Sequence, residues 1–288
     1  MYTILNKKQL NPDTVQLDIL APKIAEKALP GQFIIFRVDE DGERVPLTIA
    51  GSDKKTGAVR IIFQTVGKST LRLGDKNPGD SIASFVGPLG QPSELDEYKG
   101  KRVAVIGGGL GAAIAYPQAA YLHEIGAKVD IIAGFRTKEL IILEEEMKAQ
   151  SENYYLITDD GTSGRKGFVT NVLEGLIKEG NEYDLVLAIG PLVMMRAVAN
   201  LTRPYGLKTI VSMNTIMVDG TGMCGCCRLT VGDEVKFSCV DGPDFDAHQV
   251  DFNEAIRRSV TYREQENHDR EEEMKLHRCR VTGEVRHG

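Results

Sequence analysis

RVAVIGGGLGAA, residues 102–113, is a near-continuous apolar run that stops on three glycines and resumes in small, helix-compatible residues. Apolar runs of this kind are strands buried on both faces of a parallel sheet. Gly107, Gly109 and Ala112 match G-x-G-x-x-A between a strand and a helix, where small residues admit a pyrophosphate and let the helix pack closely. Working outward, helix-like GAAIAYPQAAYLHEIG (111–126) is followed by a second strand, KVDIIAGF (128–135). Then come KELIILEEEMKAQ (138–150, helix), YYLITDDG (strand), GFVTNVLEGLIKEG (helix), DLVLAIGP (strand), LVMMRAVANLTRPYG (helix) and KTIVSMN (208–214, strand). Alternation of this kind predicts a doubly wound parallel sheet. Pro117 predicts a kink or a late start in the first helix. The acid expected at the end of the second strand is absent: Asp130 lies at its beginning and Arg136 follows its end, which leaves NAD and NADP both open. Asp159, Asp160, Gly161, Gly190 and Pro191 would line the same carboxyl edge as Gly107, Gly108, Gly109 and Gly111.

Upstream the rhythm differs. TVQLDILAP (14–22), QFIIFRV (32–38), VPLTIAGS (45–52), AVRIIFQTV (58–66) and SIASFVGP (81–88) are β-rich runs with turn residues between them, and DEDGE (39–43) reads as a hairpin turn. Such spacing without helices predicts a small antiparallel barrel. In RVPLT (44–48), Arg44 can set a cation against a phosphate while Thr48 offers a hydroxyl to a flavin, although the stretch alone reads better as an ordinary strand with a surface arginine. In QTVGKST (64–70), Gly67 allows close backbone approach, Ser69 and Thr70 offer hydroxyls, and the first turn of a helix there can cradle a pyrophosphate. The glycine spacing of an ATP-binding loop is missing.

Downstream, DGTGMCGCC (219–227) and the cysteine of FSCVDGP give the spacing D-x4-C-x2-C-x11-C, over Asp219, Cys224, Cys227 and Cys239. It resembles the plant-type C-x4-C-x2-C…C pattern of a [2Fe–2S] cluster with aspartate in the first place. Structural zinc is the main competitor, but a zinc ribbon pairs two C-x2-C knuckles or adds histidine, and here there is one knuckle. Five cysteines in 288 residues are too few and odd-numbered for a disulfide framework. Cys226 and Cys279 are assigned no metal.

Hydrophobic content of 42% and charged content of 26% are those of a soluble globular protein. The net charge of −6 argues against nucleic-acid binding. No apolar run approaches the roughly 18 residues that span a bilayer, and the N-terminus lacks a signal-peptide core, so the cytoplasm is the expected compartment. The expected divisions are a barrel at 1–98, an α/β unit at 99–212, a cluster module at 213–251 and a charged helix or tail at 252–288. For that last stretch a solvated helix and a partner-docking arm are equally compatible.

In this order the three units resemble the ferredoxin–NADP⁺ reductase superfamily, and within it the branch of dihydroorotate-dehydrogenase electron-transfer subunits. RVPLT resembles its R-x-[YP]-[ST] flavin motif. AIGPLVMM (188–195) resembles C-G-P-x-x-M, with Ile189 in place of cysteine and Met194 at the methionine. TDDGTSGRKGFVT (158–170) is similar to D-D-G-S-x-G-x-x-G-x-V-T, and 219–246 resembles the branch's cluster segment. Dihydroorotate-linked members carry cysteine where this chain has Asp219; the small subunits of NADH-dependent reduced ferredoxin:NADP⁺ oxidoreductase, also described as sulfide dehydrogenases, carry aspartate. The resemblance implies FAD at Arg44, Pro46, Leu47, Thr48, Val66, Gly67, Ser69 and Thr70, and NAD(H) along the carboxyl edge with Arg136. It implies a [2Fe–2S] cluster on Asp219 and the three cysteines. It also implies a heterodimer with a larger flavin and iron–sulfur subunit, ferredoxin being reached through that complex, with bifurcation residing in the partner. The alternatives are a subunit of NAD-linked dihydroorotate dehydrogenase or of a sulfide dehydrogenase. On this reading Arg44→Ala strips FAD and spares iron.

Overall fold

A computed structural model describes residues 1–282, with side chains through Lys275; residues 283–288 and the side chain of Cys279 lie outside the described residues. The first ninety residues form β1 (Tyr2–Asn11), β2 (Thr14–Leu20), α1 (Pro22–Lys27), β3 (Phe33–Arg37), β4 (Val45–Asp53), β5 (Ala58–Gln64), α2 (Lys68–Asp75), β6 (Ser81–Ile82) and β7 (Ser84–Leu89). Their strands make one antiparallel sheet in the order β6-β1-β2-β5-β4-β3-β7. Its two edge strands are consecutive in the chain, so the sheet curls into a nearly closed barrel. Ile4, Leu17, Ile19, Ile34, Phe36, Ile61, Phe63, Ile82 and Phe85 fill the interior, each contributing roughly 1.5–3 kcal/mol on burial. The DEDGE turn connects β3 to β4 as expected, whereas β1 and α1 are additions that the sequence did not announce.

The parallel unit comprises β8 (Arg102–Gly108), α3 (Gly111–Glu124), β9 (Lys128–Phe135), α4 (Glu144–Lys148), β10 (Asn153–Thr158), β11 (Arg165–Lys166), α5 (Val169–Lys178), β12 (Leu185–Ile189), α6 (Leu192–Thr202) and β13 (Thr209–Ser212). With β16 (Asp244–Asp246) at its far edge, the sheet order is β11-β10-β9-β8-β12-β13-β16, and chain direction through the sheet switches between β8 and β12. Alternation divides the core: Val103 and Val105 face α3, while Ala104 and Ile106 face α5 and α6.

Two local expectations are corrected. α3 runs unbroken from Gly111 through Pro117 to Glu124, so Pro117 does not delay its start; buried Ala112, Ala113, Ala115, Ala119 and Leu122 hold it against the sheet. Of KELIILEEEMKAQ, only Glu144–Lys148 is α-helical, because Leu143 adopts φ 54° after Ile142 turns into the core.

The last segment holds β14 (Arg228–Val231), β15 (Glu234–Phe237), β16 (Asp244–Asp246), α7 (Phe252–Arg258) and α8 (Arg263–Thr282). β14 and β15 form a hairpin, and β16 joins the parallel sheet antiparallel to β13. α7 is capped by Asp251, which accepts from the Glu254 N–H at 2.9 Å. α8 lies against α2: Arg72 pairs at 2.8 Å with Glu273, which is 1% exposed.

A polar knot joins three parts. Ser93 in the connection after the barrel donates to the buried carboxyl of Asp244 on β16 at 2.5 Å, and Gln118 of α3 donates to both (2.7 and 3.2 Å). Burial raises the Asp244 pKa above the usual carboxylate range.

Asp130 is a structural acid. Fully buried, it accepts from Arg102 (2.9 and 3.1 Å), Tyr183 (2.7 Å) and Asn153 (2.8 Å) at the amino end of the sheet. Removing one partner of a buried pair costs about 3–5 kcal/mol. Arg102→Ala should therefore destabilise the chain by about 3 kcal/mol, the lower end because Tyr183 and Asn153 remain; a denaturant titration beside the parent protein measures it.

Candidate functional site

Three surfaces carry the chemistry, and β4 connects them. Immediately before it, Arg44 donates from Nε to the Val218 carbonyl (2.7 Å) and from Nη2 to the Asp219 carbonyl (3.1 Å). In its middle, Pro46, Leu47 and Thr48 are half-buried and pair with Ile35, Ile34 and Phe33. Farther along, β4 packs on α3, and Ala50 belongs to the same core as Ala112 and Ala113.

The glycine turn after β8 is shaped by close approach. A Cβ on Gly107 would stand 2.7 Å from the Ala112 Cα, and one on Gly111 would stand 2.2 Å from the Ile189 carbonyl oxygen. Gly109, at φ +56°, opens on free space. From the facing turn after β12, Gly190 approaches Gly108, where an added Cβ would lie 3.1 Å from the Gly108 oxygen. Met194 closes the same gap: a Cβ on Gly108 would be 2.3 Å from its sulfur. The two turns meet at the switch point of strand order, where such sheets bind nucleotides. Arg136, Asp159, Asp160, Gly161 and Pro191 are exposed at the neighbouring strand ends. The Thr162 N–H and then its hydroxyl hold the Asp160 carboxyl below the usual range. Main-chain space at Gly107–Gly111 fits a dinucleotide phosphate.

At the barrel, Gly67 caps α2, donating to and accepting from the Thr70 hydroxyl at 3.0 Å. Ser69 donates to Glu43 at 2.5 Å, and Val66 is exposed. The first N–H groups of a helix lack intrahelical acceptors and attract negative charge. The Glu43 carboxylate reaches this turn only through the Ser69 hydroxyl. Glu43 was not anticipated; its position one residue before Arg44 was the available signal.

The cluster segment rests on the barrel. Met217, Cys227 and Cys239 are buried with Phe33 and Ile35, flanked by Leu89, Phe237 and Val240. Gly220 has φ +81°, and a Cβ there would strike the Ile35 Cδ1 at 2.5 Å. Cys227 and Cys239 bring their Sγ atoms to 3.2 Å, whereas Cys224 is exposed. Asp219 folds back on its own loop, accepting from the Thr221 hydroxyl (2.5 Å), the Thr221 N–H (2.8 Å) and the Met223 N–H (3.2 Å). Of the four expected ligands, two side chains are thus drawn together, and among the described residues no three His, Cys, Asp or Glu side chains gather closely enough to hold a metal ion.

The donor set nevertheless fits an iron–sulfur centre. The Cys226 N–H, with smaller help from those of Asp219 and Val218, lowers the Cys224 pKa, and amide donors of this kind also stabilise metal-bound thiolates. Thr221 lowers that of Asp219. Burial, then Cys227, pushes the Cys239 thiol up to about 12. Metal binding at such a site must release protons. Arg258 of α7 donates to the Cys226 carbonyl at 3.0 Å; separated by 32 residues, this contact left no local trace in the sequence.

Residues 214–251 match the model for the iron–sulfur cluster binding domain of dihydroorotate dehydrogenase B. The dihydroorotate dehydrogenase B (NAD(+)) electron transfer subunit homolog of Thermotoga maritima is 43% identical over 263 residues, 91% of this chain and 92% of its own. The chain belongs to the family of dihydroorotate dehydrogenase B electron-transfer subunits. The Geobacillus thermodenitrificans subunit is 34% identical, over 86% of this chain and 96% of its own. A solved chain from work on flavin-based electron bifurcation by the NADH-dependent reduced ferredoxin-NADP oxidoreductase is 40% identical, with a TM-score of 0.89. It covers 94% of this chain and 97% of its own. Both the expected architecture and the expected branch are thereby borne out. Among the described residues no helix is long and apolar enough to cross a membrane.

Exposure orders the thiols. In chelator-treated protein, iodoacetamide at mildly alkaline pH should modify Cys224 well before Cys227 and Cys239, which are 1% and 2% exposed; peptide mass spectrometry reads the sequence of labelling.

Proposed function

We propose that this chain is the electron-transfer subunit of a heteromeric NADH-dependent reduced ferredoxin:NADP⁺ oxidoreductase. It works between NAD(H), FAD and a [2Fe–2S] cluster beside a larger flavin and iron–sulfur subunit, through which ferredoxin is served. The carrying observation is the course of β4, from Arg44 on the cluster loop, past half-buried Pro46–Thr48, to Ala50 against the helix that follows the nucleotide turn. The stretch from Arg44 to Ala50 spans at most about 20 Å, with a register shift between Ile49 and Gly51, so three cofactor sites are strung in order along one short segment.

Each residue set has a task. Gly107, Gly108, Gly109 and Gly111 admit the dinucleotide phosphates, with Gly190 and Pro191 forming the opposite wall. Arg136 and Asp159–Gly161 lie where the rest of NAD(H) would extend. Pro46, Leu47 and Thr48 present a half-open surface for the flavin, and Val66, Gly67, Ser69 and Thr70 shape its phosphate end. Asp219, Cys224, Cys227 and Cys239 would hold the cluster. When bound, flavin supplies the exchange between two-electron hydride chemistry and one-electron transfer, which the protein positions and tunes.

Membership among dihydroorotate dehydrogenase B subunits supports a second reading, in which the partner oxidises dihydroorotate. Asp219, together with the 40% identical solved chain, favours the first. Copurification followed by identification of the large subunit separates them.

Anaerobically purified protein should contain about one FAD, two iron and two sulfide per chain, and NADH should bleach its flavin absorbance. Zinc without flavin would overturn the reading. Asp219→Cys should change both the cluster's visible spectrum and its midpoint potential, since a thiolate replaces a harder oxygen donor. If neither moves, Asp219 is not a ligand.

A further inference from the structure

Arg44 immediately precedes the strand assigned to flavin, yet its guanidinium faces elsewhere. Both of its hydrogen bonds run to consecutive carbonyls of the cluster loop, Val218 at 2.7 Å and Asp219 at 3.1 Å, across 174 and 175 residues of sequence. The second carbonyl belongs to the residue whose carboxylate is the proposed oxygen ligand. A planar guanidinium makes this two-pronged contact because its donors form a rigid fork. On the loop's other flank Arg258 holds the Cys226 carbonyl at 3.0 Å. Gly220, next in the chain after Asp219, sits against Ile35 with no room for a side chain. The loop is therefore fixed at both of its ligand-bearing ends, and at the Asp219 end the fixing group is the residue that leads into the flavin strand.

We propose that Arg44 is a positioning residue of the iron–sulfur loop, pinning the Asp219 segment to β4 and holding a permanent positive charge beside the cluster; this rests on the functional reading above. Arginine stays charged at every physiological pH. A fixed cation near a redox centre favours the form carrying the extra electron, so it raises the centre's potential. The same two hydrogen bonds tie the loop to the flavin strand, so one side chain sets both the spacing between the two cofactors and the poise of one of them. Arg44 thus acts on the cluster rather than on a flavin phosphate, which reverses the effect expected from the sequence motif.

The test compares parent, Arg44→Gln and Arg44→Lys proteins, all full-length and purified anaerobically. FAD, iron and sulfide are quantified, the cluster potential is measured by a redox titration followed by electron paramagnetic resonance, and iron loss to a chelator is timed. FAD content should be equal in all three. Arg44→Gln should lower the cluster potential and release iron about three- to tenfold faster, the range expected for lost hydrogen bonds. Arg44→Lys should restore the potential, because it keeps the charge, but not the retention of iron, because an ammonium lacks the fork. Loss of FAD with the potential and iron retention unchanged would overturn the proposal, as would two variants indistinguishable from the parent. If Arg44→Gln does not fold, Arg44→Lys decides: faster iron release at full FAD supports the clamp, and FAD loss at normal iron retention overturns it. A parent protein with FAD but no iron or sulfide would refute the cluster reading itself and remove the clamp's object; that result shows in the parent before any variant is compared.

Discussion

An extended backbone advances about 3.3 Å per residue, and along β4 that rise spaces the cluster loop at Arg44 from α3 at Ala50. Pairing to β3 and β5 holds the strand, irregular only between Ile49 and Gly51, at one length. Whatever lies against residue 44 therefore keeps its distance from whatever lies against residue 50. The cluster loop occupies the first position and α3 the second. A loop scaffold would let those distances drift, and electron transfer falls steeply with distance. Barrel, sheet and cluster segment meet along this one strand and hold it in place.

The cluster segment could not hold its place alone. A two-stranded hairpin is marginal in water, and β14 with β15 is no more than that. The segment borrows stability twice. Its loop buries Cys227 and Cys239 on barrel residues Phe33 and Ile35, and its continuation adds β16 to the edge of the parallel sheet. Asp244, on that added strand, meets Ser93 and Gln118 in the polar knot. A buried carboxyl must find partners of this kind or remain costly, so the knot allows few alternative arrangements of the three parts.

Much of this architecture was legible from residue pattern. β8, β9, β10 and β12 are apolar runs bounded by glycine or proline, and the helices between them have clear periodicity, so period and punctuation sufficed. β1 escaped notice because YTILNKKQLN buries only Ile4 fully, and one apolar anchor makes no alternation. The run from Lys138 was overread as a long helix because Ile141, Ile142 and Leu143 mimic a helical stripe while in fact forming a bend into the core. Pro117 misled in the opposite sense, since tertiary packing of small residues outweighed its local penalty. At the site, ligand types and glycine turns were visible because they are contiguous. The partners of Arg44 and Arg258 were not, since spacing within a motif says nothing about a carbonyl brought alongside by folding.

One further feature changes the mechanical character of the molecule. The chain leaves the barrel at Leu89, builds the sheet and the cluster segment, and returns through α8 to lie on α2, where Arg72 meets Glu273. Two domains joined by one linker behave as a hinge. Here the path closes into a circuit, since the barrel carries β1 and also meets α8. Opening the nucleotide crevice by swinging the sheet away would strain two attachments at once, so substrate exchange is better served by small movements of the exposed turns than by rotation of whole units.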